Sequence, residues 1–576
     1  MDNGGPTVAR SRSAARPRHS RRRRLLTRTG PVVVLALGAF AAGVAVGSAP
    51  GRAERRLVER YVTLWTRGDP ADMYRLLDSE SRARVTPAAF ESELLAAERT
   101  ATVRSLRMLG SPHIGSAVAS VQVAVSTRLW GTLHETLELP LTGSGSHARI
   151  HLEDSILFPG LRAGESLARR TALPARAALL SASGVPLAEG PARTSPDPVA
   201  AGEVVGTLGP VPPAERARYE ALGYPPGAKI GLDGLERTFQ TRLAGRPGGV
   251  LLAGGVVRGG RVLARSTPVA AAPVRTTISI PLEDDAIAAL GGRYAGMAVM
   301  NPRTGGLVAL AGLAYDAPQP PGSTMKIITA TAALQAGIVR LTTQFPDQSS
   351  ATIDGYTLHN ANDEVCGGTL INAFAVSCNS VYAPLGARVG GRRLVATAER
   401  YGFDQRPSIL GADESTIPSA ATIGSALSIA SSAIGQGRVL ATPLEMADVA
   451  ATIADGGRRP IPTLSASARP RFVRVTTPQV AAEIKRMMIA VVDYGTGVTA
   501  QIPGVQVAGK TGTAELRTTT SRAASNNPRN TDSWFVGFAP ANAPRLAAAV
   551  LFPSAGYGEQ TAAPAVRSVL ESALGG

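Results

Sequence analysis

The chain has 576 residues, 44% of them hydrophobic, which allows roughly three to four domains with real cores, so disorder is not the default reading. Its formal charge of +17 would suit a nucleic-acid binder, but nine arginines against one acid, Asp2, are concentrated in residues 1–28. Aromatics make up only 4% and do not interleave with basic clusters, so a stacking platform for nucleic acid is not evident.

After the arginine-rich head, Pro31 to Ala49 runs apolar and uncharged, about long enough to cross a bilayer as a helix. Arginines on its N-terminal side predict a cytoplasmic head, residues 1–30, a transmembrane anchor, residues 31–49, and an external body in the cell membrane with a single pass. The rival reading is a cleaved signal peptide, for which Gly47-Ser48-Ala49 offers small residues at a cleavage point.

From Arg52 a helical pattern, Leu57, Tyr61, Leu64 and Trp65, precedes a break at Gly68-Asp69-Pro70 and resumes with Met73, Leu76 and Leu77. Alternating stretches at 117–125 and 136–141 then predict strands, making residues 52–160 a small α+β module. Residues 161–275 are rich in Pro, Gly and Ala, with short strands expected at Gly249 to Leu252 and Arg261 to Ala264. From residue 276 to 576 the pattern is more regular. A hairpin is predicted around Asn301-Pro302-Arg303-Thr304-Gly305, then helices from Met325 to about Ala454. Strands return at Val505 to Leu516, Ser533 to Phe538 and Leu546 to Leu551, which implies one sheet with an inserted helical layer.

Only four lysines occur, Lys229, Lys326, Lys485 and Lys510, against a large number of arginines. Arginine stays protonated, whereas a lysine can be tuned to release its proton, so a retained lysine is a candidate base. Lys326 lies three residues after Ser323, beyond Pro320-Pro321-Gly322, which places Ser323 at a helix start with the lysine amine on the same face. None of the six histidines stands in a triad context, so lysine is the candidate to activate the serine. Bringing a lysine from about 10.4 to about 7 costs about 4.6 kcal/mol, obtainable from burial and a second cation such as Lys510.

Ser377-Cys378-Asn379 offers a hydroxyl and an amide able to relay a proton and hold a substrate amide, and is weak evidence alone. Lys510-Thr511-Gly512-Thr513 is stronger, since a chance Lys-Thr-Gly in this composition is expected on the order of 0.03 times. Gly512 removes a side chain beside the site, so an extended peptide could pair with this strand edge. The two cysteines, Cys366 and Cys378, could form a disulfide outside the membrane, a question left open by sequence alone. The bland alternative makes Ser323 a helix cap, Lys326 a surface residue and Lys510 a strand end.

Ser-x-x-Lys, Ser-x-Asn and Lys-Thr-Gly in this order, with first serines 54 residues apart and Ser377 to Lys510 spanning 133, resemble the serine penicillin-recognising enzymes. Ile434-Gly435-Gln436-Gly437, Thr442-Pro443-Leu444-Glu445, Gly495-Thr496-Gly497 and Trp534-Phe535-Val536-Gly537-Phe538 are similar to stretches of class B penicillin-binding proteins. Tyr61 to Leu77 resembles the cone-shaped N-terminal module of the low-affinity type, and Gly231 to Gly248 the dimerisation or pedestal module; the composition is actinobacterial-like. One departure is Ser181-Ala182, where the family has an Asp-Arg pair.

The resemblance implies a multidomain α+β protein: a transmembrane helix, a cone-like module at 52–160, a pedestal at 161–275 and a transpeptidase fold at 276–576. It implies a peptidoglycan D,D-transpeptidase acting on stem peptides and inhibited by β-lactams, with no metal, cofactor or nucleic acid. Ser323 would be the nucleophile and Lys326 its base. Ser377 and Lys510 would pass a proton to the leaving amine, while Asn379 orients the substrate amide. Thr511 and Thr513, with Gly512 between them, would bind the terminal carboxylate together with Lys510, and backbone N–H groups of Ser323 and Thr513 would form the oxyanion hole. A D,D-carboxypeptidase and a β-lactam-acylated sensor or scaffold are the alternatives.

Overall fold

The computed structural model describes residues 51–254, 260–516 and 527–575. The expected head and anchor, residues 1–30 and 31–49, lie outside them; among the described residues no helix is long and apolar enough to cross a membrane.

The described residues divide into two compact units: 51–171, 220–223, 248–254 and 260–266 form one, and the other described residues form the second. The stretch 161–275 is therefore shared between them. In the first unit α1, Arg52–Arg67, buries Val58, Tyr61, Val62, Leu64 and Trp65 along one face. It stops at Gly68, whose φ of 69° suits glycine in a left-handed cap, and Asp69 accepts from Asp72 N–H to start the next helix. Helix α2, Pro87–Thr100, adds Phe90 and Leu94 to the same core. Strands β1, Val103–Met108, β2, Val118–Thr127, and β3, Thr132–Thr142, pair antiparallel in sequence order and close the unit's apolar centre. Leu167–Ala172, Gly248–Ala253 and Arg261–Ser266 form a second small sheet, which contributes Leu251 and Ala253 to that core.

The second unit opens with short elements around a buried Glu236, whose carboxylate accepts from Arg176 Nε at 2.6 Å and from Arg193 Nε at 2.7 Å. A buried carboxylate held by two guanidinium groups is satisfied as a charge and fixes three segments to one another.

The main sheet consists of β4, Gly296–Met300, β5, Leu307–Gly312, β6, Ala508–Glu515, β7, Thr531–Ala539, and β8, Leu546–Phe552. Their order is β5-β4-β8-β7-β6, antiparallel throughout, so β6 is an edge. Both faces are covered, which is why β4 and β8 read as unbroken apolar runs rather than alternations. Met297, Val299, Ala548 and Val550 pack on the helices Ile280–Leu290 and Ala562–Leu574. Ala298, Met300, Ala547 and Ala549 instead join the core of the helical layer inserted between β5 and β6.

Sequence reasoning expected helices to dominate from Met325 to about Ala454, and within that stretch two small antiparallel pairs interrupt them. Ser350–Ile353 and Tyr356–His359 form a hairpin through Asp354-Gly355, with φ of 50° and 77°. That Asp-Gly pair, flanked by Thr352, Ile353 and Tyr356, was the available signal for a tight hairpin. Gln344–Gln348 pairs with Cys366–Thr369 just before the Ser377 segment.

Candidate active site

Ser323 stands in the 3₁₀ turn Gly322–Met325, which runs straight into the helix Lys326–Gln335. The turn is wedged in place by glycines. Gly322, at φ 54°, donates its N–H to Gly435 O at 3.0 Å, and a Cβ on it would meet Thr513 O at 2.7 Å. A Cβ on Gly435 would lie 2.0 Å from Gly322 O. Trp534 on β7 donates Nε1–H to Pro320 O at 2.9 Å, tying the same turn to the sheet.

Gly512 on β6 also serves this packing. Its missing side chain leaves no gap for a peptide, because a Cβ there would meet Pro321 O at 2.8 Å and Thr324 Cγ2 at 2.9 Å. The space is filled by the serine's own turn.

Lys326 is fully buried. Its amine was expected to fold back to Ser323; instead its Nζ donates to Ser377 O at 2.6 Å, to Asn379 Oδ1 at 2.7 Å and to Ser377 Oγ at 3.2 Å. Three donors are all an ammonium has, so none is left for Ser323 until the proton leaves and frees a lone pair. Lys510, also fully buried, donates to Ser377 Oγ at 2.9 Å and to its neighbour Thr511 O at 3.0 Å. Ser377 Oγ thus lies between two lysine amines.

The floor beneath them is aromatic. Lys326 Nζ lies 5.6 Å from the Tyr382 ring centroid and Lys510 Nζ 5.6 Å from that of Phe374, and the two rings pack edge to face. This dry setting disfavours charge. Burial first, and the Lys510 charge second, hold Lys326 well below the ordinary lysine range, while burial brings Lys510 down to about 7.

Ser377 has a left-handed φ of 64°, uncommon for a residue with a side chain. Asn379, the start of the helix Asn379–Val389, spends its amide within the chain: Oδ1 accepts from Lys326 and Nδ2 donates to His359 O at 3.0 Å. Cys378 between them is bonded to Cys366, which answers the question left open by sequence. Thr511 Oγ1 lies 2.5 Å from Thr496 Oγ1, and Thr513 Oγ1 accepts from Gly558 N–H at 3.4 Å.

The structure therefore brings Ser323, Lys326, Ser377, Asn379, Lys510, Thr511, Gly512 and Thr513 into one cluster. Sequence reasoning did not assign site roles to Phe374, Tyr382, Thr496 or Trp534. Thr496 and Trp534 lay in stretches already noticed, whereas the two rings carried no signal beyond ordinary apolar character.

Residues 295–571 match the penicillin binding protein transpeptidase domain, and residues 158–271 the penicillin-binding protein dimerisation domain. The peptidoglycan D,D-transpeptidase PbpA of Mycobacterium tuberculosis is 38% identical over 287 residues, 45% of this chain and 55% of that protein. The chain thus spans little more than half the length of this relative. Among solved structures, the D,D-transpeptidase domain of a peptidoglycan glycosyltransferase from Eggerthella lenta aligns with TM-score 0.57 at 27% identity, covering 70% of this chain and 99% of the other. Penicillin-binding protein A from M. tuberculosis, as its penicillin G acyl-enzyme complex, aligns with TM-score 0.56 at 27% identity, covering 69% and 99%.

Proposed function

Because the chain belongs to the class B penicillin-binding proteins, we propose that it is a peptidoglycan D,D-transpeptidase working through an acyl-enzyme on Ser323. The observation that carries this reading is the pair of buried lysines meeting at Ser377 beside the serine's turn. A fully buried amine held well below its usual range loses its proton more readily and so offers a lone pair to the serine hydroxyl.

Ser323 Oγ attacks the penultimate D-Ala carbonyl carbon of a stem peptide as its proton passes to neutral Lys326. The carbon–nitrogen bond to the terminal D-Ala then breaks, and Ser377 and Lys510 relay a proton to the departing amine. Backbone N–H groups of Ser323 and Thr513 stabilise the oxyanion, and Lys510, Thr511 and Thr513 receive the terminal carboxylate. Asn379 steadies Lys326 through Oδ1 and, when substrate enters, the Nδ2 proton that His359 O does not take orients the peptide. An amine from a second strand attacks the ester and regenerates Ser323. A β-lactam enters the same first step and stalls as the acyl-enzyme, as in the penicillin G complex of the M. tuberculosis relative.

Residues 276–576 are the catalytic domain in this reading, 161–275 the pedestal and 52–160 a cone-like module. Incubation with a D-Ala-D-Ala stem peptide should release D-Ala and, with an added amine acceptor, give a cross-linked product by mass. Release without cross-linking at any acceptor concentration would make the protein a D,D-carboxypeptidase. A stable adduct with penicillin but no turnover of peptide would favour the sensor or scaffold.

The nine arginines before Pro31 support a body outside the membrane, with the apolar stretch 31–49 as its anchor. Washed membranes should retain the full-length chain, and protease added to intact protoplasts should remove the Ser323 domain. A chain beginning near Pro50 in the medium would show a cleaved signal peptide and overturn the anchor.

A further inference from the structure

Cys378 sits between the two residues that contact Lys326, and it is fully buried. Its partner Cys366, half-buried, opens the strand Cys366–Thr369, which is itself paired to Gln344–Gln348. The two Cα atoms are 5.9 Å apart and 12 residues apart in sequence. The ring they close contains the short helix Leu370–Ala375 and Ser377.

Ser377 needs holding. Its left-handed backbone is disfavoured for a side chain with a Cβ, and a relaxation to negative φ would swing its carbonyl and hydroxyl away from the two amines. On one side its N–H donates to Phe374 O at 3.1 Å, and on the other Cys378 N–H donates to Ala373 O at 2.8 Å. Both anchors belong to a helix of only six residues, too short to be rigid by itself. The covalent tie to a paired strand supplies what that helix cannot.

We propose that Cys366 is a positioning residue for acylation: its disulfide with Cys378 holds Ser377 and Asn379 in register with the Lys326 and Lys510 amines. The inference rests on the reading of Lys326 as the proton acceptor for Ser323. Its consequence is that the site is complete only after oxidation, when two thiols give up two electrons and two protons to a disulfide of the exchange-partner class. A chain still in a reducing compartment carries the motifs without their working geometry.

Dithiothreitol opens the bond by the reverse exchange, yielding two protein thiols and the cyclic disulfide of the reagent. The reduced wild-type protein, with two alkylatable thiols by mass and an unchanged far-UV circular dichroism spectrum, should be acylated by a fluorescent penicillin about 10- to 100-fold more slowly. The acid limb of its rate against pH should move to higher pH, because a loosened Ser377 segment admits water to Lys326. Reoxidation should restore the wild-type rate but not that of Cys366→Ala. A merely structural cross-link would change the melting temperature and leave the pH profile where it was.

The Cys366→Ala, Cys378→Ala double variant keeps small apolar side chains at both positions and gives the same comparison if the reduced protein loses its fold. Equal rates and pH profiles with and without the bond, in either preparation, overturn the proposal. Failure of the oxidised wild-type protein to label on Ser323 would instead overturn the underlying reading of the site.

Discussion

A Ser323→Ala protein should form no adduct with a fluorescent penicillin, whereas the wild-type chain should gain one β-lactam per molecule by intact mass. The nucleophile is expected at Ser323 because its turn is fixed on two sides, by Gly435 and by the backbone of Thr513, and runs directly into the helix that begins at buried Lys326. Ser377 is the rival hydroxyl, since it already touches both amines. Its Oγ accepts a hydrogen bond from each amine, an arrangement that suits a proton relay better than attack. Peptide mapping separates the two: label on a Ser323-containing peptide supports the assignment, and label retained in Ser323→Ala contradicts it. The substitution removes one hydroxyl from a half-buried position, so the melting temperature should change little.

Lys326→Arg should lower the acylation rate by about 10²-fold or more, the loss expected when a general base goes. Arginine keeps the charge but holds its proton throughout the accessible pH range. Lys510→Arg should be milder, because a cation remains beside Ser377. The pH dependence distinguishes them further. Lys326 must be neutral to act, and burial together with the Lys510 charge lowers its pKa, so the rate rises as pH rises through the Lys326 titration. Lys510 must stay charged, and burial brings its pKa to about 7, so the rate falls as pH climbs past that value.

The wild-type profile is therefore bell-shaped, and its two apparent pKa values belong to the pair of amines that share Ser377. In Lys510→Arg the alkaline limb should disappear, since the guanidinium does not lose its proton. Equal, small losses in both variants, or an alkaline limb that survives Lys510→Arg, would contradict separate roles. Stopped-flow acylation across the pH range is the measurement.

Much of this molecule is legible without coordinates. The apolar runs Gly296-Met297-Ala298-Val299-Met300 and Leu546-Ala547-Ala548-Ala549-Val550 announce strands buried on both faces, and the pattern Leu57, Tyr61, Leu64, Trp65 announces α1. These signals are local, because a helix or strand must bury a face whose periodicity is written along its own residues. The scarcity of lysine singled out Lys326 and Lys510 for a similar reason: a residue kept against the composition is visible without its neighbours.

What Lys326 touches was decided only by the tertiary structure. Its amine passes over the serine three residues away and reaches Ser377 and Asn379, more than 50 residues along the chain. The bond between Cys366 and Cys378, the Phe374 and Tyr382 rings under the amines and the filling of the space beside Gly512 by Pro321 and Thr324 are of the same kind. So is the sharing of residues 161–275 between two compact units. Each depends on distances between segments far apart in sequence, and such distances are set by how helices pack on a sheet, which no single stretch of residues encodes.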